Sequence, residues 1–313
     1  MFPGQNTTNF KPKDGYDMPV LGLDNGSFYH IHIPAMSCII VSLICSVTSI
    51  LLSFRRRTFR NFFSKWSKSE RFVVYLAFLD GYFNVFHFTD HLNVVVTRDH
   101  VRPKGLCVFY GYFTAVFVAA EILMVNVVAI NVFMLLYCKR KLYFGKRDWK
   151  LLAWIFFLPV VGSSIAAAFD QFGPTGATCF MDSVKGTLAT ICFTTVPLTI
   201  VLVMNMVLYI LSWKRIHDQC REVSLTLGTM SAAMQGSHRA ARAMSMFVTA
   251  FFIQWWAVAF YGVWGLASRQ IPQALFHVLT IFTNLGGILN LIVFAVITRS
   301  TSSREHLQNH GGL

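Results

Sequence analysis

The sequence predicts an all-α membrane protein, a seven-transmembrane helix bundle with its N-terminus extracellular and its C-terminus cytoplasmic. Three observations lead there. Hydrophobic residues make up 55% of the 313 and charged ones 13%, with a mean hydropathy of +0.53, a balance that excludes water as the only solvent. Seven apolar runs are each long enough to cross a hydrocarbon core of about 30 Å, which takes roughly 20 helical residues. Lys and Arg gather on one side of those runs.

The runs are residues 31–54, 72–97, 106–137, 151–169, 186–213, 243–267 and 272–297. They divide the chain into an extracellular tail (1–30), the membrane domain (31–298) and a short cytoplasmic tail (299–313). The first tail carries two N-glycosylation acceptors, Asn6-Thr7-Thr8 and Asn25-Gly26-Ser27. It lacks a basic start, an apolar stretch and a cleavage site in series, so span one is expected to act as its own insertion signal. With this tail outside, inner segments hold 20 of the Lys and Arg residues and outer segments 7. The reverse orientation would break the rule that basic residues stay on the cytoplasmic side.

The formal charge of +13 is therefore read as topology plus attraction to anionic inner-leaflet lipid, with membrane lipids as neighbours and nucleic acid excluded. No connection between spans is long enough for a soluble catalytic domain, so the chain is not expected to be an enzyme. The longest, 214–242, contains Gly228, Gly236 and several small polar residues and reads as a cytoplasmic loop.

Span two carries the most informative pattern. At 100° per residue, Asp80, Asn84, His87 and His91 share one stripe, and on span three Thr114, Glu121 and Val132 share another. Ionisable residues inside a bilayer are costly, about 2.5 to 3.5 kcal/mol each on insertion scales. Asp80 and Glu121 are read either as a pair sharing a proton or a sodium ion, or as two protonated carboxyls each satisfied by its own neighbour. His87, Asp90 and His91 have metal-ligand spacing, with His277 as a further donor, but interfacial packing and a pocket lining are the preferred readings at the outer end of the span. No resident cofactor or metal is assigned beyond sodium near Asp80. Cys107 opens span three and Cys179 lies in the second outer loop. Both face the oxidising side, and a bond between them is expected, two free thiols being the alternative.

Several landmarks recur in a fixed order: Leu76-Ala77-Phe78-Leu79-Asp80 in span two, Cys107 and Cys179, Trp154 in span four, Pro197 in span five, Phe252 and Trp256 in span six, and Asn290-Leu291-Ile292-Val293-Phe294 in span seven. Over about residues 30–300 this resembles a divergent rhodopsin-like (class A) G-protein-coupled receptor. The resemblance implies a sodium site and polar seam at Asp80, Glu121 and Asn290, a switch made of Phe252, Trp256 and Pro197, and an inner face for a heterotrimeric G protein. That face comprises Asn131, Val132 and Phe133 with Arg239 and Arg242. Here the chain departs from the family, which closes span three with an acidic residue, Arg and Tyr. Span one lacks the family's Gly-Asn pair, and Val258 stands where span six has a proline.

The resemblance also implies an extracellular ligand among His87, His91, Tyr110, Phe113, Thr114, Phe117, Trp256, Tyr261, His277 and Asn284. Thr114 in place of an aspartate argues against a biogenic amine, and Asn284 in place of a lysine argues against covalently bound retinal. The expected function is that of a receptor in the plasma membrane. Its rivals are a proton-coupled channel or transporter with an Asp80, Glu121 and His87 relay, a zinc-dependent intramembrane hydrolase, and a silent or decoy receptor.

Overall fold

The computed structural model describes residues 11–56, 58–226, 232–267 and 272–310. Asn6 lies outside them, and the side chains of Arg239 and Arg242 lie outside the described side chains. Helices α1 (Phe28–Arg56), α2 (Lys68–Thr97), α3 (Lys104–Leu136), α4 (Trp149–Ala168), α5 (Val196–Thr226) and α6 (Ala232–Ala267) follow the first six runs. The seventh run is two helices, α7 (Gln273–Thr283) and α8 (Gly286–His310), which meet at a bend of 41°. Among the described residues six helices are long and apolar enough to span a bilayer, and the bent pair makes the seventh. The chain is a membrane protein. α3 sits centrally, packed on α2, α4, α5 and α6.

Lipid tails are as apolar as leucine, so the spans are held by close packing and polar contacts rather than by the hydrophobic effect. α1 shows this well. Ala35, Ile39, Ser42, Ser46, Ser49 and Ser53 recur at alternating steps of four and three and are all buried. Small side chains on that stripe let α8 approach until the Gly287 amide donates to Ser42 Oγ at 2.9 Å, and a Cβ on Gly287 would lie 2.1 Å from the Ser42 carbonyl oxygen. Asn84 Nδ2 of α2 donates to the same Ser42 hydroxyl at 3.1 Å.

The ends of the helices have local causes. α2 opens with a capping box in which Ser67 Oγ accepts from the Glu70 amide and the Glu70 carboxylate accepts from the Ser67 amide. Span five enters through a π-helical turn, Thr190–Thr195, where the Val196 amide reaches back to the Ile191 carbonyl. Pro197 follows, unable to donate, so the regular α pattern cannot run through that point. Span seven lacks a proline after Asn290, and its break falls instead just before Gly286 and Gly287.

At the end assigned outside by the charge count, strands β1 (Phe172–Pro174) and β2 (Cys179–Met181) pair antiparallel, Pro174 opposite Cys179. Cys179 is disulfide-bonded to Cys107 at the start of α3, as expected. The amino-terminal segment folds onto this hairpin. Gly15 donates its amide to the Asp182 carboxylate at 2.9 Å, Leu21 to the Gly176 carbonyl at 2.8 Å, and the Tyr16 hydroxyl to the Val101 carbonyl at 2.9 Å. Lys104 pairs with Asp14 at 2.9 Å and holds its carboxyl below the usual carboxylate range. Burial pushes the Tyr16 phenol up to about 12.

Candidate functional site

The mid-membrane seam is assembled from four helices. On α2 the stripe turns towards α1 and α8. Asp80 accepts a short hydrogen bond from Asn290 Nδ2 of α8, and its other oxygen, Oδ1, is buried without a hydrogen-bond partner. On α3, Glu121 Oε1 accepts from the Trp255 indole of α6 at 3.3 Å, and Glu121 Oε2 is likewise buried without a partner. Between them stands Gln254 of α6, whose amide acts on both carboxyls while donating to the Thr283 carbonyl at 3.3 Å. That carbonyl belongs to the last residue of α7. A Cβ on Gly286 would lie 2.0 Å from Asp80 Oδ1 and 2.6 Å from Gln254 Nε2, so the glycine leaves room for the seam itself.

Both readings of the two carboxyls therefore meet here, since each has its own donor and the two lie within electrostatic reach of each other. The two orphaned atoms, Asp80 Oδ1 and Glu121 Oε2, are carboxyl oxygens, the ligand type that suits a small hard cation such as sodium. Gln254 was not singled out from sequence, although a lone amide between Ile253 and Trp255 in an apolar span was a signal for it. A second buried amide pair, Asn126 Nδ2 donating to Asn205 Oδ1 at 3.0 Å, ties α3 to α5 and was missed for want of any local pattern.

The residues expected to form the switch differ in burial from their neighbours one position earlier. Phe252 is turned outward at 38% exposure and Trp256 is half-buried against Phe282, whereas Phe251 and Trp255 are 2% exposed in the core. The sequence contains two overlapping Phe-x-x-x-Trp patterns, and the helix's rotation selects the earlier one. Pro197 is exposed on α5.

The expected pocket residues separate into groups. Phe113 stacks on Phe86 at 4.8 Å and Phe117 on Tyr82 at 5.1 Å, forming a ladder between α2 and α3 whose outer members, Tyr82 and Phe109, are exposed. Thr114 and Asn284 are buried, Asn284 donating to the Thr280 carbonyl at 2.7 Å. Tyr110 packs beside the disulfide and Tyr261 against Phe276. His277 lines a cavity of about 400 Å³ between α1 and α7, with His30, Ile31, Pro34, Thr280 and Ile281. It does not join His87 and His91, which meet His32 of α1 instead. Asp90 Oδ2 accepts from the Cys179 amide at 2.7 Å, and its Oδ1 is buried without a hydrogen-bond partner.

No family model matches this sequence, and no curated protein matches it. Among solved structures, the crystal structure of squid rhodopsin superposes with a TM-score of 0.65 at 15% identity, covering 87% of this chain and 82% of that one. The fold is that of the rhodopsin-like receptors.

At the inner end of α3, Asn131 and Val132 are buried, whereas Phe133 is half-buried and stacks on the exposed Tyr137 one turn on at 4.7 Å. Arg71, one of the basic residues counted on the inner side, forms a fork onto Asp148 of the second inner loop, Nε to Oδ2 at 2.6 Å and Nη2 to Oδ1 at 3.2 Å, with the Tyr75 hydroxyl donating to Oδ2 at 3.0 Å.

Proposed function

We propose that this chain is a plasma-membrane receptor that passes an extracellular signal to a heterotrimeric G protein. The observation that carries the reading is the seam in which Asn290, Asp80, Gln254, Glu121 and Trp255 join α2, α3, α6 and α8 at the break of span seven. These contacts tie α6 to α3 and to the end of α7, two of the boundaries along which α6 would move if its inner end swung out. A ligand that favours one arrangement of the seam shifts the population between states. Asp80, Glu121 and Asn290, with Gln254, would hold sodium when it binds, and the ion would supply charge compensation for the two carboxyls. Asn131, Val132, Phe133, Arg239 and Arg242 would meet the G protein after opening, and Asn6 and Asn25 would carry glycans.

The proton-relay rival finds less support. His87 is stacked on Phe83 at 5.1 Å, and among the described residues no hydrogen bond joins it to Asp80 or Glu121. The test is G-protein activation in cells, scored across G-protein classes, for the native chain, Trp255→Ala and Glu121→Gln. Basal or evoked activity that shifts in either variant supports the receptor. A flat response in every class with the protein at the surface would overturn coupling and favour the silent or decoy reading.

A further inference from the structure

Three imidazoles from two helices meet at the outer end of the bundle, apart from the seam. His32 Nδ1 and His91 Nδ1 lie 2.8 Å apart, and the His91 ring touches that of His87 edge-on at 4.6 Å between centroids. His32 and His91 are 0% and 2% exposed. His32 Nε2 and His87 Nδ1 are buried without a hydrogen-bond partner. Phe28 and Phe83 close the cluster from either side.

Two nitrogens that face each other at 2.8 Å share a single hydrogen, one ring donating and the other accepting. If both imidazoles become fully protonated, each Nδ1 carries its own hydrogen, and two N–H groups cannot occupy that gap. The doubly protonated pair must separate, and α1 and α2 are the elements it holds together. Among the described residues no ion pair reaches these imidazoles. Among the described residues the charges acting on His87 and His91 are the other imidazoles of the cluster. Asp90 on α2 is turned to the Cys179 amide; the tail and α3 bring the phenols of Tyr16 and Tyr110 to the disulfide cluster above; on α7, His277 lines the separate cavity with His30. The hairpin contributes Cys179, which is disulfide-bonded and does not titrate.

We propose that His32 and His91, backed by His87, form an extracellular proton-binding site, and that proton uptake there releases the outer end of α1 from α2. The site stands whether or not the chain couples to a G protein. Free imidazole takes up a proton near pH 6.5, so an open arrangement gains about tenfold in population for each proton bound between pH 7.4 and 5.5. The Asp14–Lys104 contact does not confuse that window. Its carboxyl is already ionised there, because a carboxyl held below its usual range keeps its contribution until the pH falls below that range.

The test is amide hydrogen exchange on the full chain in lipid nanodiscs at pH 7.4 and 5.5, corrected for intrinsic rates, followed in segments 28–36 and 87–97. Protection should fall at least about tenfold at the lower pH in the native chain, and the change should vanish in the His32→Phe/His91→Phe double variant, which keeps two rings and removes both titrating groups. A response that persists in the double variant assigns the effect to His30, His100 or His277 and overturns the proposal. A response that needs added zinc and disappears with a chelator overturns it in favour of a metal site. Should the double variant fail to fold, the native curve decides alone, since protection that is flat between the two pH values rejects a proton latch.

Discussion

Gln254 illustrates what a single side chain does in a membrane interior. Its amide has donors and acceptors to spare, and in hydrocarbon each one left idle is costly, so it fixes the positions of two carboxyls and of the carbonyl freed where α7 ends. Arg71 and Asp148 do the same at the inner boundary. Their side chains are only 11% and 7% exposed, and the Arg71 guanidinium also donates to the Trp66 carbonyl at 2.8 Å. Removing one partner strands a buried charge, so Arg71→Ala and Asp148→Ala should each destabilise the purified protein by about 3 kcal/mol, read as a lowered melting temperature in the same detergent. The double variant should cost less than the sum of the two, because the second deletion removes the stranded charge. Additive losses would mean the pair is no more than a surface contact.

Among elements, the amino-terminal segment and the second outer loop behave as one unit. Asp182, 2% exposed, accepts from the amides of Gly15, Val184 and Lys185, at 2.9 to 3.0 Å. Asp182→Ala leaves three donors without their acceptor, a loss of roughly 1 to 3 kcal/mol at that point. The expected outcome is faster hydrogen exchange at Gly15, Val184 and Lys185, with the middle of α3 unchanged. Equal exchange in both proteins would show that the segment is held by its backbone bonds alone. Span seven teaches a related lesson, because its break lies just before Gly286 and Gly287, where close approach to Asp80 and to Ser42 of α1 requires glycine.

For the whole molecule, orientation is the property on which every functional statement depends. Cys138 is exposed just past α3 at the end assigned to the cytoplasm, whereas Cys107 and Cys179 at the other end are bonded. A water-soluble, membrane-impermeant maleimide should therefore label Cys138 in permeabilised cells and leave it unlabelled in intact ones, with Cys138→Ser as the control. Labelling in intact cells would invert the bundle and move the histidine cluster to the cytoplasm. At this scale the polar groups form three levels: histidines outside, the carboxyl seam at mid-depth, and the Arg71 fork inside. Each ties α2 to a different neighbour, namely α1, α8 and the second inner loop.

The sequence by itself determined the spans, the stripe Asp80, Asn84, His87 and His91, and the pairing of Cys107 with Cys179, because hydropathy, helical period and compartment are local or one-dimensional properties. Only the tertiary structure decided which neighbours that stripe meets and which of two overlapping Phe-x-x-x-Trp patterns enters the core. A transmembrane helix that is apolar on every side carries little amphipathic signal to set its rotation, and one residue's shift turns it by 100°. The partners of Arg71 and His91, 77 and 59 residues away, were invisible for the same reason. Long-range contacts between helices are chosen by packing, and packing exists only once all the spans are in place.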